Sequence, residues 1–420
     1  MERSAFRSLA AAGVIVLAAA AWALADRLED TLYVPLDDPA IQYSQAPNDP
    51  VARLEKRLES RAATLDFAPN GWGYLPAVLK QLDVPTDSQV LVFSKTSIQT
   101  QHISPHTPRA IYFNDEVSAG FVQNGDVLEL TALDPKLGII LYTLDTPKTD
   151  KPQFTRRDDC LKCHQGPVTL GVPGLLISSV HPRTGGRESH GSAFMTDDRT
   201  PIEERWGGWY VTGTTGDQKH YGNNPNLVDP LEPGGPAGPD SQNVTKIDGF
   251  FDVSRYPAST SDLVALMTLE HQIRMTNLIT RVGWDARINA KDPKLDGEIE
   301  ELLGYMLFTD EAPLKAPVAG VSSFAKTFAE RGPRDKQGRS LRDFDLKTRL
   351  FRYPLSYMIY SAAFDGMPEA ARSRVYQRLY DILSGKDTSK TFNSLSAADR
   401  HALVEIVRDT KPGLPAYWKP

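Results

Sequence analysis

The spacing of apolar residues along the chain changes part-way through. Over residues 89–145 they fall in short runs broken by turn residues. Val90–Phe93, Ala110–Phe113, Gly120–Val122, Val127–Leu130 and Gly138–Leu144 read as strands. The breaks between them carry Ser104-Pro105, Asn114-Asp115, Asn124-Gly125-Asp126 and Asp134-Pro135. Asn-Gly between two apolar runs is a hairpin signal, so these strands are expected to form an antiparallel sheet. Ahead of them, Asp49–Ala62 and Tyr74–Leu82 read as helices, with Asp49 as N-cap and Pro50 in the first turn. Residues 175–180 and 209–213 are shorter strand candidates, and 223–243, rich in Pro, Gly and Asn, read as a loop. From Ser261 the spacing becomes three and four, predicting helices over 261–283, 295–308, 321–330, 357–364, 368–384 and 396–410. The expected class is α+β, with a β-rich N-terminal half and a helical C-terminal half. The expected divisions are 1–25, a β-rich region over 26–150, a middle region over 151–222, a loop region over 223–258, and a helical region over 259–420.

Charge narrows the partners. The net charge is −6 and there is no long basic run, so nucleic acid is not an expected partner. At the N-terminus Arg3 and Arg7 precede an apolar stretch, Leu9–Ala25, which ends in Ala23-Leu24-Ala25. This is the pattern of a signal peptide; retained, the same stretch would serve as a membrane anchor. Either outcome places the chain from Asp26 onward outside the cytoplasmic membrane, in the periplasm or its equivalent.

The two cysteines stand in one pentapeptide, Cys160-Leu161-Lys162-Cys163-His164. C-x-x-C-H is the attachment motif of c-type haem. Two thiols one helical turn apart can bond both vinyl groups, and the next residue offers an imidazole to iron. Cys160 and Cys163 are thus the expected covalent attachment points of one haem c, and His164 the axial ligand. A zinc site would need a second ligand pair, which is not found. A redox dithiol would be expected after a buried strand, and Arg156-Arg157-Asp158-Asp159 is no such strand. A simple disulfide is the third alternative.

For the sixth iron position the first choice is His271, set among Val264, Met267, Leu278 and Val282 at helical spacing, and the second is His220, in a polar loop. His181, His190, Met195, Met267 and Met275 are further candidates. Arg183, Arg187 and Lys219 are basic residues that could meet haem propionates, although simple surface charge is the favoured reading of each. Glu203-Glu204-Arg205-Trp206 and Trp209 could pack near the haem. Glu270 beside His271 cannot form an acid–base pair with it, since adjacent helical residues point about 100° apart. No Ser-His-Asp set, phosphate loop or dinucleotide fingerprint is apparent.

The stretches Asp38–Ser44, Val92–Ser97, Arg109–Asp115, Asp134–Gly138, Cys160–Pro173, Glu204–Tyr210 and Leu269–Gln272 resemble an uncharacterised family of bacterial single-haem proteins described as cytochrome c domain-containing. The likeness spreads over residues 38–285, and only the haem motif is specific. It implies haem binding and electron transfer, with no established substrate. Two function classes follow: an electron carrier serving an unknown redox partner, or a haem enzyme or small-molecule sensor with an open distal iron site. A third is a scaffold subunit whose haem wires it to a membrane oxidoreductase.

Overall fold

Asp49 opens the first helix as expected: its carboxylate accepts the Val51 and Ala52 amides at 2.8 and 3.0 Å, and Pro50 follows where a missing N–H costs nothing. The computed structural model describes residues 33–180, 193–224, 241–387 and 389–419. The N-terminal apolar stretch, His181, Arg183, Arg187 and His190 lie outside the described residues. Helices α1 (Pro50–Glu59) and α2 (Leu75–Gln81) precede strands β1 (Val90–Val92), β2 (Arg109–Phe113), β3 (Val117–Phe121), β4 (Val127–Asp134), β5 (Gly138–Asp145) and β6 (Phe154–Arg156). A short helix, α3 (Leu161–His164), follows, then β7 (Ser178–Val180), β8 (Ala193–Met195), β9 (Trp209–Tyr210) and β10 (Gly213–Thr214). The C-terminal part holds α4 (Leu263–Asn289), α5 (Lys294–Met306), β11 (Ala319–Gly320), α6 (Phe324–Glu330), α7 (Ala362–Asp365), α8 (Glu369–Leu383) and α9 (Ala397–Thr410). The class is α+β.

The central sheet has seven antiparallel strands in the order β6-β5-β4-β3-β2-β1-β9. The meander β2–β5 comes from the turns read in the sequence; β6, which pairs with β5, is not among the expected strands. Nor does the last strand come from those turns: β9 arrives from beyond the C-x-x-C-H motif and pairs with β1 through Leu91–Tyr210 and Val92–Trp209. The middle region therefore contributes to the same sheet as the N-terminal one. The candidate strand 209–213 is split between two sheets, β9 in the large one and β10 paired with β11. The candidate helix 357–364 divides into a 3-10 turn, Tyr357–Tyr360, and α7.

One face of the sheet is fully buried, carrying Ala110, Tyr112, Ala119, Phe121, Leu128, Leu130 and Ala132. α1 packs on this side, and Tyr142 on β5 donates to the Asp49 carboxylate at 2.6 Å. The opposite face is only partly covered. Cross-strand pairing aligns Ile111, Gly120 and Glu129 there, with Ser118 beside Thr131. Arg109, Ile111, Ser118, Glu129 and Thr131 on this face are all half-buried. α4 closes one end of it, where Leu269, Gln272, Ile273 and Thr276 meet Ser118, Thr131 and Leu175. This helix is buried almost all round, not along a single stripe. Among the described residues no helix is long and apolar enough to cross a membrane.

Candidate functional site

Cys160, Cys163 and His164 lie where the chain leaves edge strand β6. The Arg157 amide donates to the Leu141 carbonyl at 2.8 Å, holding the segment against β5 as it coils. A 3-10 turn, Asp158–Cys160, runs directly into α3. Cys160 and Cys163, three residues apart in this coil, share one side. Both thiols are free; Cys160 is half-buried and Cys163 exposed. Burial, with the Asp159 carboxylate beside it, pushes the Cys160 thiol up. Reactive C-x-x-C dithiols have the opposite shift, so this environment argues against a thiol–disulfide exchange site.

A tight turn orients His164. After α3, Leu170 and Gly171 adopt positive φ of 61° and 73°, and the Gly171 amide returns to the Gly166 carbonyl at 2.8 Å. Thr169 braces the turn through its hydroxyl to the Gly166 amide and the Val172 carbonyl. Gly174 then lies back across the histidine: its amide donates to the His164 carbonyl at 2.8 Å, and its carbonyl accepts from His164 Nδ1 at 3.0 Å. A carbonyl only accepts, so Nδ1 carries the ring proton and Nε2 keeps its lone pair. Nε2 is bonded to none of the described residues. Burial pulls the imidazole pKa down, which keeps the ring neutral. A neutral ring with Nδ1–H held by a carbonyl is the form in which histidine ligates a metal through Nε2.

The segment is tied to two distant parts of the chain, the stretch at Val34 and helix α4. Gln165 donates to the Val34 carbonyl at 2.9 Å, and Arg281 on α4 donates to the Leu170 carbonyl at 2.9 Å. The Asn277 amide side chain accepts the Leu175 N–H and donates to the Leu175 carbonyl. Gly174 allows that approach, because a Cβ there would sit 2.3 Å from Asn277 Oδ1. On its other side the segment faces the half-open sheet surface: the charges of Arg109 and Glu129 act on His164, and that of Glu129 on Cys160. Two polar atoms on that surface, Arg109 Nε and Thr131 Oγ1, are buried without a hydrogen-bond partner. Two free thiols, an imidazole in the ligating tautomer and a half-covered face with unmet polar atoms fit a covalently held haem.

The first-choice distal residue is held elsewhere. His271 is fully buried; its Nδ1 bonds Asp198 Oδ2 and its Nε2 bonds Ser356 Oγ, each at 2.7 Å. Phe308 stacks on the ring at 4.4 Å, with Tyr305 at 5.3 Å. Neither nitrogen is left for iron. His271 and Asn277 are six positions apart, so the two point about 120° apart around α4, and only Asn277 faces the Cys160–Leu175 segment. His220 is also engaged. The Gly222 amide donates to its Nδ1 at 3.1 Å, which places the ring proton on Nε2, and Trp206 packs edge-on at 5.3 Å. Burial drives its pKa down to about 4. Met267 and Met275 are buried within α4, and Met195 and Lys219 are exposed. Arg205 makes a buried ion pair with Glu270 at 3.1 Å, and Trp206 packs on His220.

The contacts of His271 assemble a Ser356–His271–Asp198 relay that sequence spacing does not reveal, because its members are far apart in the chain. It has the hydrogen-bond order of a hydrolytic triad. However, Ser356 and His271 are both fully buried, and Ser356 Oγ also accepts the Met358 amide as the cap of the 3-10 turn. A nucleophile without access is a structural element, and this relay fastens the 196–206 segment to α4 and the C-terminal part. Comparison of the chain with protein-family models, curated proteins and solved structures found no match.

Proposed function

We propose that this chain is an exported c-type cytochrome carrying one haem on Cys160 and Cys163, with His164 as axial ligand, and that it passes electrons to or from a protein partner. The observation that carries the reading is the C-x-x-C-H coil with both thiols free and His164 held by Gly174 in the ligating tautomer. Attachment needs no oxidant. Each thiol adds its S–H across a vinyl double bond: a C–S bond forms, the proton ends on the neighbouring vinyl carbon, and nothing leaves. Bound haem supplies one-electron chemistry at iron. The chain's own residues anchor it, with Gly174 fixing the His164 ring and the Val34, Leu141 and Arg281 contacts fixing the segment.

Expression in a periplasm competent for haem maturation tests the proposal. The wild type should show covalent haem staining on a denaturing gel. Cys160→Ala and Cys163→Ala should weaken it, and the double variant should lose it. A wild type without covalent haem under those conditions overturns the reading. The engagement of both His271 and His220 favours a second reading, in which the sixth iron position is open and the protein senses or transforms a small ligand. Carbon monoxide binding to the reduced protein separates the two.

A further inference from the structure

The half-open sheet face beside His164 carries an arginine whose bonding is incomplete. Arg109, the first residue of β2, is bound at one end only: its Nη1 donates to Glu129 Oε2 at 2.9 Å. Its Nε is buried and has no acceptor. A guanidinium presents donors in a fixed planar fork suited to a carboxylate, so a buried Nε–H without an acceptor is a site short of one partner. Glu129 cannot meet that need, because its other oxygen, Oε1, is taken by Ser97 Oγ and by Gln99 Nε2 at 2.8 Å. These contacts from the 97–99 turn fix Glu129, which in turn fixes Arg109. Gly120 lies across from Glu129 on β3. Thr131, two residues along β4, adds a second buried polar atom without a partner on the same face. The basic residues expected from the sequence to meet propionates do not include this one.

We infer that Arg109, held in place by Glu129, Ser97 and Gln99, binds a propionate carboxylate of the haem and places a fixed positive charge beside the iron ligand. The inference rests on the haem reading and names the residue that completes that site. Arg109 is a binding residue; Glu129 is a positioning residue acting through it. The two make opposite contributions to the iron. A nearby cation disfavours the ferric state and an anion favours it, so their removal must shift the potential in opposite directions.

The test measures covalent haem and midpoint potential for the wild type, Arg109→Gln, Arg109→Lys and Glu129→Gln. All should carry haem on a denaturing gel, since the thioether positions are untouched. The potential should fall in Arg109→Gln, rise in Glu129→Gln, and move least in Arg109→Lys. A general loosening of the sheet would move all of them the same way. An unchanged potential in both Arg109→Gln and Glu129→Gln, or shifts of equal sign, overturns the inference while leaving the haem reading standing. Absence of covalent haem from the wild type overturns the haem reading itself. If Arg109→Gln fails to fold, the signs for Glu129→Gln and Arg109→Lys decide.

Discussion

At the scale of single residues, two histidines that look alike in sequence have distinct jobs. His271 is a buried cross-link: Asp198, on the segment after β8, and Ser356, ahead of α7, both bond its ring. Replacing it with alanine leaves a buried carboxylate without its donor and opens a hole beside Phe308, which should cost about 2–4 kcal/mol. Urea unfolding of His271→Ala should show that loss, and the visible spectrum of the haem-loaded variant should match the wild type. A conversion to high-spin iron would instead restore His271 as a ligand. His220 predicts a pH effect. Its folded pKa, about 4, lies below that of an exposed histidine near 6.5. The unfolded chain therefore binds a proton between those values that the folded chain does not. The stability contributed is complete above about 6.5 and is lost as pH falls through about 4, on the order of 3 kcal/mol in all. His220→Asn, which can still accept from the Gly222 amide, should lose less stability than the wild type between pH 6.5 and 4. Equal losses would show that the ring does not titrate on unfolding. Glu298 and Glu311, both pushed up to about 8 by burial, slope the other way in both proteins and cancel in the comparison.

At the scale of elements, the sheet meets α4 through the β4–β5 turn. Gly138 ends that turn with φ +80°, and a Cβ there would lie 2.6 Å from Thr280 Cγ2. Gly138→Ala combines backbone strain with a collision and should cost about 1–3 kcal/mol. Adding Thr280→Ser removes the colliding methyl, so the double variant should recover part of the loss in urea unfolding. Additive losses would show that strain alone is responsible. The same hairpin shows what was legible beforehand. Asn124-Gly125 and Asp134-Pro135 mark chain reversals, and alternation between them sets which side chains face inward, so β2–β5 could be read from local signals. The pairing of β9 could not: residues 209–213 read as a strand, but nothing local names β1, more than a hundred residues earlier, as its partner. The long helix was found but its exposure was misjudged. α4 is wrapped on nearly every side, so its polar residues, Glu270, His271, Gln272 and Asn277, are buried with partners from other elements, and their identity as ligands or struts is invisible along the sequence. The C-x-x-C-H motif lies at the other extreme, since its residues are consecutive and need no tertiary contact to be recognised.

At the scale of the whole molecule, the question is what the proposed haem would contribute to folding. A short chain cannot bury enough apolar surface alone and leans on its cofactor. Here one continuous apolar core runs from Val34 to Trp418, through both faces of the sheet and the C-terminal helices. Of the attachment motif only Leu161 belongs to it, with Cys160 packed at its margin. The motif is placed instead by bonds to Val34, Leu141 and Arg281 that require no cofactor. The Cys160→Ala/Cys163→Ala double variant, which cannot hold haem covalently, should therefore still fold. It should show the secondary structure of the wild type by circular dichroism and a single cooperative melt. Its transition should lie below that of the haem-loaded protein only by what binding to the folded state adds. Proteolysis should distinguish a local change from a global one: cleavage near residues 158–174 would mean that the cofactor orders the segment alone. A chain that is unfolded without covalent haem, or that melts without cooperativity, would show that the core depends on the cofactor, and that the half-open face beside His164 cannot persist uncovered.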